Sequence, residues 1–175
     1  HFGNGAHLTL PRHPNYLWEQ LAQDGLWTCL IADGFHLPES VIKVAMAVKK
    51  EKAMIVSDAV LLAGMEPGQY TTHIGGEVVL NESGKLHTAK NPDILAGSAQ
   101  MLPWGIEQLL QRNLADLSLA WEMASTRPAG FMGLDVKEGI QLNAPADLVC
   151  FTVDEKQKLD ILKTYKSGQL KYEKN

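Results

Sequence analysis

Two short apolar runs constrain this chain more than any other feature. Leu26 to Ala32 and Met54 to Ala59 each read as strands. Between them Pro38-Glu39-Ser40 opens a helix whose apolar side is Val41, Ile42, Ala45, Met46 and Val48. Pro38 suits the first turn of that helix. Strands this apolar are expected to be buried on both faces, as in a parallel sheet covered by helices. Asn15 to Ala22 reads as an earlier helix, with Leu17, Trp18 and Leu21 on one face. The β/α rhythm with short connections implies an α/β fold, either a parallel sheet or a (β/α) barrel. Lys49 to Lys52 read as the solvated end of the second helix, where cations favour the dipole.

Each strand ends in polar residues: Asp33 and His36 after the first, Asp58 after the second. An ionised Asp is costly to bury, so Asp58 belongs at the mouth of the sheet. In parallel α/β folds the carboxyl ends of strands are where chemistry is done. Asp58 is therefore a catalytic candidate, and a helix cap or loop aspartate is the structural alternative.

Downstream the pattern changes. Glu77 to Leu80 and Lys85 to Thr88 read as a β-hairpin with its turn at Ser83-Gly84, preceded by Gly75-Gly76. Leu95-Ala96-Gly97-Ser98 is a tight loop before helical faces at Ile106, Leu109 and Leu110 and at Leu114, Leu117, Leu119, Ala120 and Met123. Ser125 to Ala129 punctuates a further short helix. Beyond Gly139 the pattern turns to β, over Ala146 to Phe151, Leu159 to Tyr165 and Gly168 to Tyr172. These strands look like the edge of a small separate β domain.

A net charge of -4 with scattered signs leaves no basic stripe, so nucleic acid is not an expected partner. No apolar run approaches the ~20 residues of a membrane helix. The two cysteines, Cys29 and Cys150, lie in apolar strand-like stretches and read as small buried hydrophobes in a reducing, cytoplasmic setting. The opening His1-Phe2-Gly3-Asn4-Gly5-Ala6 looks like the inside of a motif, so the sequence is expected to begin within a longer protein.

His1, Asn4, Arg12, His36 and Asp58 carry the side chains suited to chemistry. A strand-end histidine can ligate a divalent metal through its neutral ring. A carboxylate beside an activated water can take its proton and deliver it to a leaving group. Arginine offers a forked donor to an anion such as phosphate. Against these stand plainer readings: Arg12 as a solvated loop residue in Leu8 to Pro14, and Asn4 as a turn former beside glycine. His7, His13, His73 and His87 read as surface residues, and the four tryptophans as packing.

Taken in order, a set of motifs resembles the carboxyl-terminal half of N-acetylglucosamine-6-phosphate deacetylases, members of the metal-dependent amidohydrolase superfamily. They are His1 to Gly5, Leu30 to His36, Val56-Ser57-Asp58-Ala59 through Ala63-Gly64, Leu95 to Ser98, Met123 to Ala129 and Ala146 to Val149. The resemblance implies the last strands and helices of a (β/α)8 barrel over residues 1–135, with a β-hairpin insertion near 69–90. Residues 136–175 would be strands of a small β-sandwich domain. It further implies His1 as a ligand of a divalent metal, zinc foremost, and Asp58 as the catalytic aspartate. Asn4 and the Gly5 backbone would belong to the substrate-phosphate loop. Arg12 would reach the phosphate in a neighbouring subunit of a homodimer, and His36 would contact substrate. The implied reaction is deacetylation of an N-acetylated amino-sugar phosphate, with hydrolysis of another amide or a non-catalytic fragment as alternatives. The chain departs from the family at Asn4-Gly5-Ala6, at Leu62-Ala63-Gly64 and in the Pro11 to Tyr16 loop, all on the substrate side.

Overall fold

The computed structural model describes residues 1–7, 9–73 and 76–175. Leu8 of the proline loop and Gly75 before the hairpin lie outside the described residues.

The first unit is the expected strand–helix–strand. Strand β1 (Thr28–Ile31) and strand β2 (Ala53–Val56) pair in parallel, with Cys29 opposite Met54 and Ile31 opposite Val56. Helix α1 (Tyr16–Ala22) precedes them and helix α2 (Glu39–Lys49) connects them. Asn15 caps α1 by accepting from the Leu17 N–H at 3.0 Å, and Pro38 stands immediately before α2. Leu30, Ala32 and Ile55 of the strand region are fully buried against Ile42 and Ala45 of α2. They share this core with Ile106, Leu109, Ala120 and Met123. Those residues come from helices α3 (Leu102–Gln111) and α4 (Leu117–Ala124), and α5 (Thr126–Met132) follows. Continuous apolarity in β1 and β2 is thus explained by helices on the parallel pair.

The run from Lys49 to Lys52 is solvated only in part: Lys50 and Glu51 are exposed, whereas Lys49 and Lys52 reach back across the fold. Lys49 is only 4% exposed. Its Nζ donates to the carbonyls of Gln20 at 2.8 Å and Gln23 at 2.6 Å, and Lys52 Nζ donates to that of Asp24 at 2.5 Å. The last turn of α1 carries no basic residue, so its orphan carbonyls take their donors from across the fold. Arg127 of α5 makes a matching tie, with Nη1 donating to Lys50 O at 2.8 Å and Ala53 O at 2.9 Å.

A second sheet is antiparallel and three-stranded: β3 (Gly68–Thr72), β4 (Gly76–Leu80) and β5 (Leu86–Thr88). The turn at Ser83-Gly84 joins β4 to β5, and β3 adds a strand that the residue pattern did not announce. Val78, Leu80 and Leu86 pack with Leu62 and Ala99 in a core of their own.

The tail forms a third sheet of β6 (Leu148–Val153), β7 (Leu159–Lys166) and β8 (Gln169–Glu173), antiparallel throughout. It is tied to the helices by Glu107 Oε1, which accepts from Leu159 N at 2.8 Å. Trp121 stacks on Phe151 with centroids 4.4 Å apart. An apolar groove of about 1100 Å³ runs between α3–α5 and this sheet. Cys29 is half-buried and Cys150 exposed, both as free thiols, so the expectation of two buried cysteines fails. The β6–β7 pairing shifts register there, with Cys150 opposite Lys163 and Phe151 opposite Ile161, and Val149 and Cys150 are both exposed.

Candidate active site at the strand mouth

Three elements bring the candidate residues together. Phe2 N donates to Cys29 O at 2.8 Å, which lays the first residues alongside β1. Asp58 follows β2 by two residues, and its peptide is clamped to the loop before α3. There Ser98 N donates to Asp58 O at 3.3 Å and Val60 N donates to Ser98 O at 2.9 Å. This close approach requires Gly97: a Cβ there would lie 2.5 Å from Val60 Cγ1, and its φ is +93°. Asp58 itself has φ +50°, a left-handed conformation that Asp tolerates better than most residues.

The Asp58 carboxylate is the meeting point. Oδ1 lies 3.5 Å from His1 Nε2, and Oδ2 accepts from Asn4 Nδ2 at 3.2 Å. Asn4 Nδ2 is also 3.4 Å from His1 Nε2. The His1 and Asp58 side chains keep 36% and 33% of their surface, so a ligand can reach both. Gly3 and Gly5 turn the chain through positive φ on either side of Asn4.

His36 is placed differently. Its side chain is 4% exposed and pairs through Nδ1 with Asp33 Oδ2 at 2.8 Å. Asp33 Oδ1 accepts from the N–H groups of Phe35 and His36 at 2.9 and 3.0 Å. Burial alone would raise the Asp33 carboxyl pKa, but these hydrogen bonds and the His36 ring outweigh it and hold it below the usual value. His36 Nε2 is buried without a hydrogen-bond partner. Arg12 stands exposed on its loop. The structure thus joins His1, Asn4 and Asp58 in one cluster. It sets His36 in a neighbouring buried pair and leaves Arg12 outside both.

His7 is exposed and bonds Tyr16 Oη, His13 and His73 are exposed, and His87 bonds the Thr88 carbonyl. Asp33 stands at a strand end in the sequence with no task apparent there, although the Asp33-x-x-His36 spacing is that of a side chain closing a turn. Arg127 lies in the Met123 to Ala129 motif, but its task has no signal in the sequence, because the carbonyls it holds are far away along the chain. Among the described residues no group of three or more His, Cys, Asp or Glu is assembled to hold a metal.

No family model matches the chain. A protein of Escherichia coli (strain K12) named Putative N-acetylgalactosamine-6-phosphate deacetylase is 30% identical over 135 residues, covering 77% of this chain and 78% of that one. The chain belongs to the N-acetyl-amino-sugar-6-phosphate deacetylase family. Another member, the N-acetylglucosamine-6-phosphate deacetylase of Vibrio furnissii, is 28% identical over 99% of this chain. The chain spans 42% of that relative's length, and 35% of the Escherichia coli O157:H7 N-acetylgalactosamine-6-phosphate deacetylase. The crystal structure of the Pasteurella multocida N-acetylglucosamine-6-phosphate deacetylase matches 86% of this chain and 38% of its own at TM-score 0.73 and 26% identity. The Thermotoga maritima enzyme shares the fold at TM-score 0.81 and 24% identity over 99% of this chain and 46% of its own. No helix among the described residues is long and apolar enough to cross a membrane.

Proposed function

We propose that this chain is the carboxyl-terminal part of a metal-dependent hydrolase that removes the acetyl group from an N-acetylated amino-sugar 6-phosphate. The observation that carries the reading is the convergence of His1 Nε2 and Asn4 Nδ2 on the two oxygens of Asp58. In this reading β1 and β2 are successive strands of a (β/α)8 barrel, residues 1–135 belong to that barrel, and 136–175 belong to a small β domain.

The donor chemistry fits a divalent metal such as zinc, which takes imidazole nitrogen and carboxylate oxygen. His1 would hold it, beside Asp58, with the remaining donors from outside the described residues. When bound, the metal supplies a Lewis acid and a water of lowered pKa. Asp58 takes the proton of the attacking water at a carboxylate oxygen and delivers it to the departing amine nitrogen. The products are acetate and the free amino sugar. Asn4 orients Asp58 through Nδ2, while the Gly5 backbone and Arg12 bind the phosphate end, Arg12 from the second copy of a homodimer. His36 contacts the sugar. A cytoplasmic enzyme is in keeping with two free thiols.

The test is acetate release by the complete protein from N-acetylglucosamine or N-acetylgalactosamine 6-phosphate. Turnover that a chelator abolishes and zinc restores is expected. Hydrolysis of a different amide, with neither sugar phosphate turned over, overturns the reading.

A further inference from the structure

We infer that Asp33 is a positioning residue that fixes the His36 ring as its Nδ1–H tautomer, so that the buried Nε2 lone pair accepts from a hydroxyl or amide N–H of the substrate. The substrate half of this inference rests on the proposed deacetylase function, and the role of Asp33 does not.

The two oxygens of Asp33 have separate tasks. Oδ1 takes both backbone N–H groups of the turn, from Phe35 and His36, and Oδ2 takes only the His36 ring at Nδ1. Both side chains are at most 5% exposed, so water does not compete for these bonds. Three donors, two from backbone and one from the ring, leave the carboxylate below its ordinary pKa despite burial. An ionised carboxylate accepts and cannot donate, so Nδ1 must carry the hydrogen. The remaining nitrogen, Nε2, is buried and has no partner among the described residues.

The turn that carries the ring is itself held. Trp104 Nε1 donates to Asp33 O at 3.0 Å and holds the backbone of the turn. Gly34, at φ +86°, lies under Arg112, where a Cβ would meet Nη2 at 2.5 Å. A buried polar atom left unpaired is costly and rarely tolerated without a purpose. Here the orphan sits in the loop that follows β1, at the same strand mouth as Asp58. An N-acetylated amino sugar offers hydroxyl and amide hydrogens to such an acceptor.

Asp33→Asn isolates the effect. Its Oδ1 keeps both backbone bonds, while its amide group replaces Oδ2 and donates to Nδ1, which forces the hydrogen onto Nε2. In the complete protein with ¹⁵N-labelled histidine, the wild-type His36 ring should show a protonated Nδ1 and an unprotonated Nε2 at neutral pH. In Asp33→Asn the two should exchange. A wild-type ring protonated at Nε2, or a tautomer unchanged by the substitution, overturns the role of Asp33. Should the variant fail to fold, the wild-type spectrum alone decides. In the acetate-release assay Asp33→Asn should lower kcat/KM by about 10- to 100-fold in a protein that is still folded at the assay temperature. Asp33→Asn/His36→Ala should be no worse than His36→Ala. Additive losses overturn the coupling of the pair. A wild-type protein that deacetylates no amino-sugar phosphate overturns the substrate half and the proposed function together, while the tautomer still decides Asp33 separately.

Discussion

Asp58 holds a left-handed backbone, one ring nitrogen and one amide at the same carboxylate. Backbone strain of this kind gathers where geometry matters to function. Arg12 is the residue whose role is most separable, because it is exposed and lies outside the cluster. Arg12→Ala should raise KM for the phosphorylated sugar by tenfold or so while leaving kcat within about a factor of two, measured as acetate release. Asp33 gives a pH signature. Its carboxyl is lowered in the fold, so its stabilisation is complete above the unfolded value near about pH 4 and is lost as pH falls through the folded value. The urea midpoint gap between wild type and Asp33→Asn should therefore stay constant from neutral pH to about pH 5 and shrink below about pH 4. A gap that instead grows on acidification contradicts that sign. Asp58 and His36 are conspicuous in the residues as polar groups that follow apolar strands, whereas His1 has no strand before it and stands out only through the resemblance. What His36 does with its second nitrogen is not readable there, because that depends on burial.

At the scale of elements, the unit from α1 to β2 is held by long cationic side chains that cap carbonyls across the fold. Arg127 is the strongest case, with two short bonds to Lys50 and Ala53 where β2 begins. Arg127→Ala should cost about 2–3 kcal/mol, and Arg127→Lys should recover only part of it, because both carbonyl bonds come from Nη1 while the second arm, Nη2, faces Glu122 Oε2 at 3.7 Å and a shorter ammonium cannot serve both. Chemical denaturation measures both, and equal stability of the lysine variant and wild type would contradict the account. Strand and helix identity was legible from apolar periodicity at β1, α1, α2 and β2, and the hairpin turn from Ser83-Gly84. At the end of α2 Lys49 departs from the solvated reading, because the carbonyls of Gln20 and Gln23 that it meets lie far back along the chain. Strand β3 escaped notice because Gly68 to Thr72 carries few of the apolar residues that mark a buried strand. Its exposure alternates, and its partner β4 supplies the buried Val78 and Leu80.

For the molecule as a whole, a two-stranded parallel sheet is too small to stand alone, and parallel sheets are stable when both faces and edges are covered. The apolar groove between the helices and β6–β8 points the same way, with Ile140 and Leu142 about nine-tenths exposed at 89% and 91%. We propose that the rest of the barrel and small domain covers these surfaces in the complete protein. Residues 1–175 expressed alone should then bind a hydrophobic dye strongly, and the complete protein should not. In the proposed reaction Asp58 moves the proton of the deacetylation. Acetate release from an N-acetyl amino-sugar 6-phosphate by the zinc-loaded complete protein, wild type beside Asp58→Asn, tests that role. A fall in kcat of about 10²- to 10⁴-fold with the fold intact is expected. Turnover within a few-fold of wild type would contradict it.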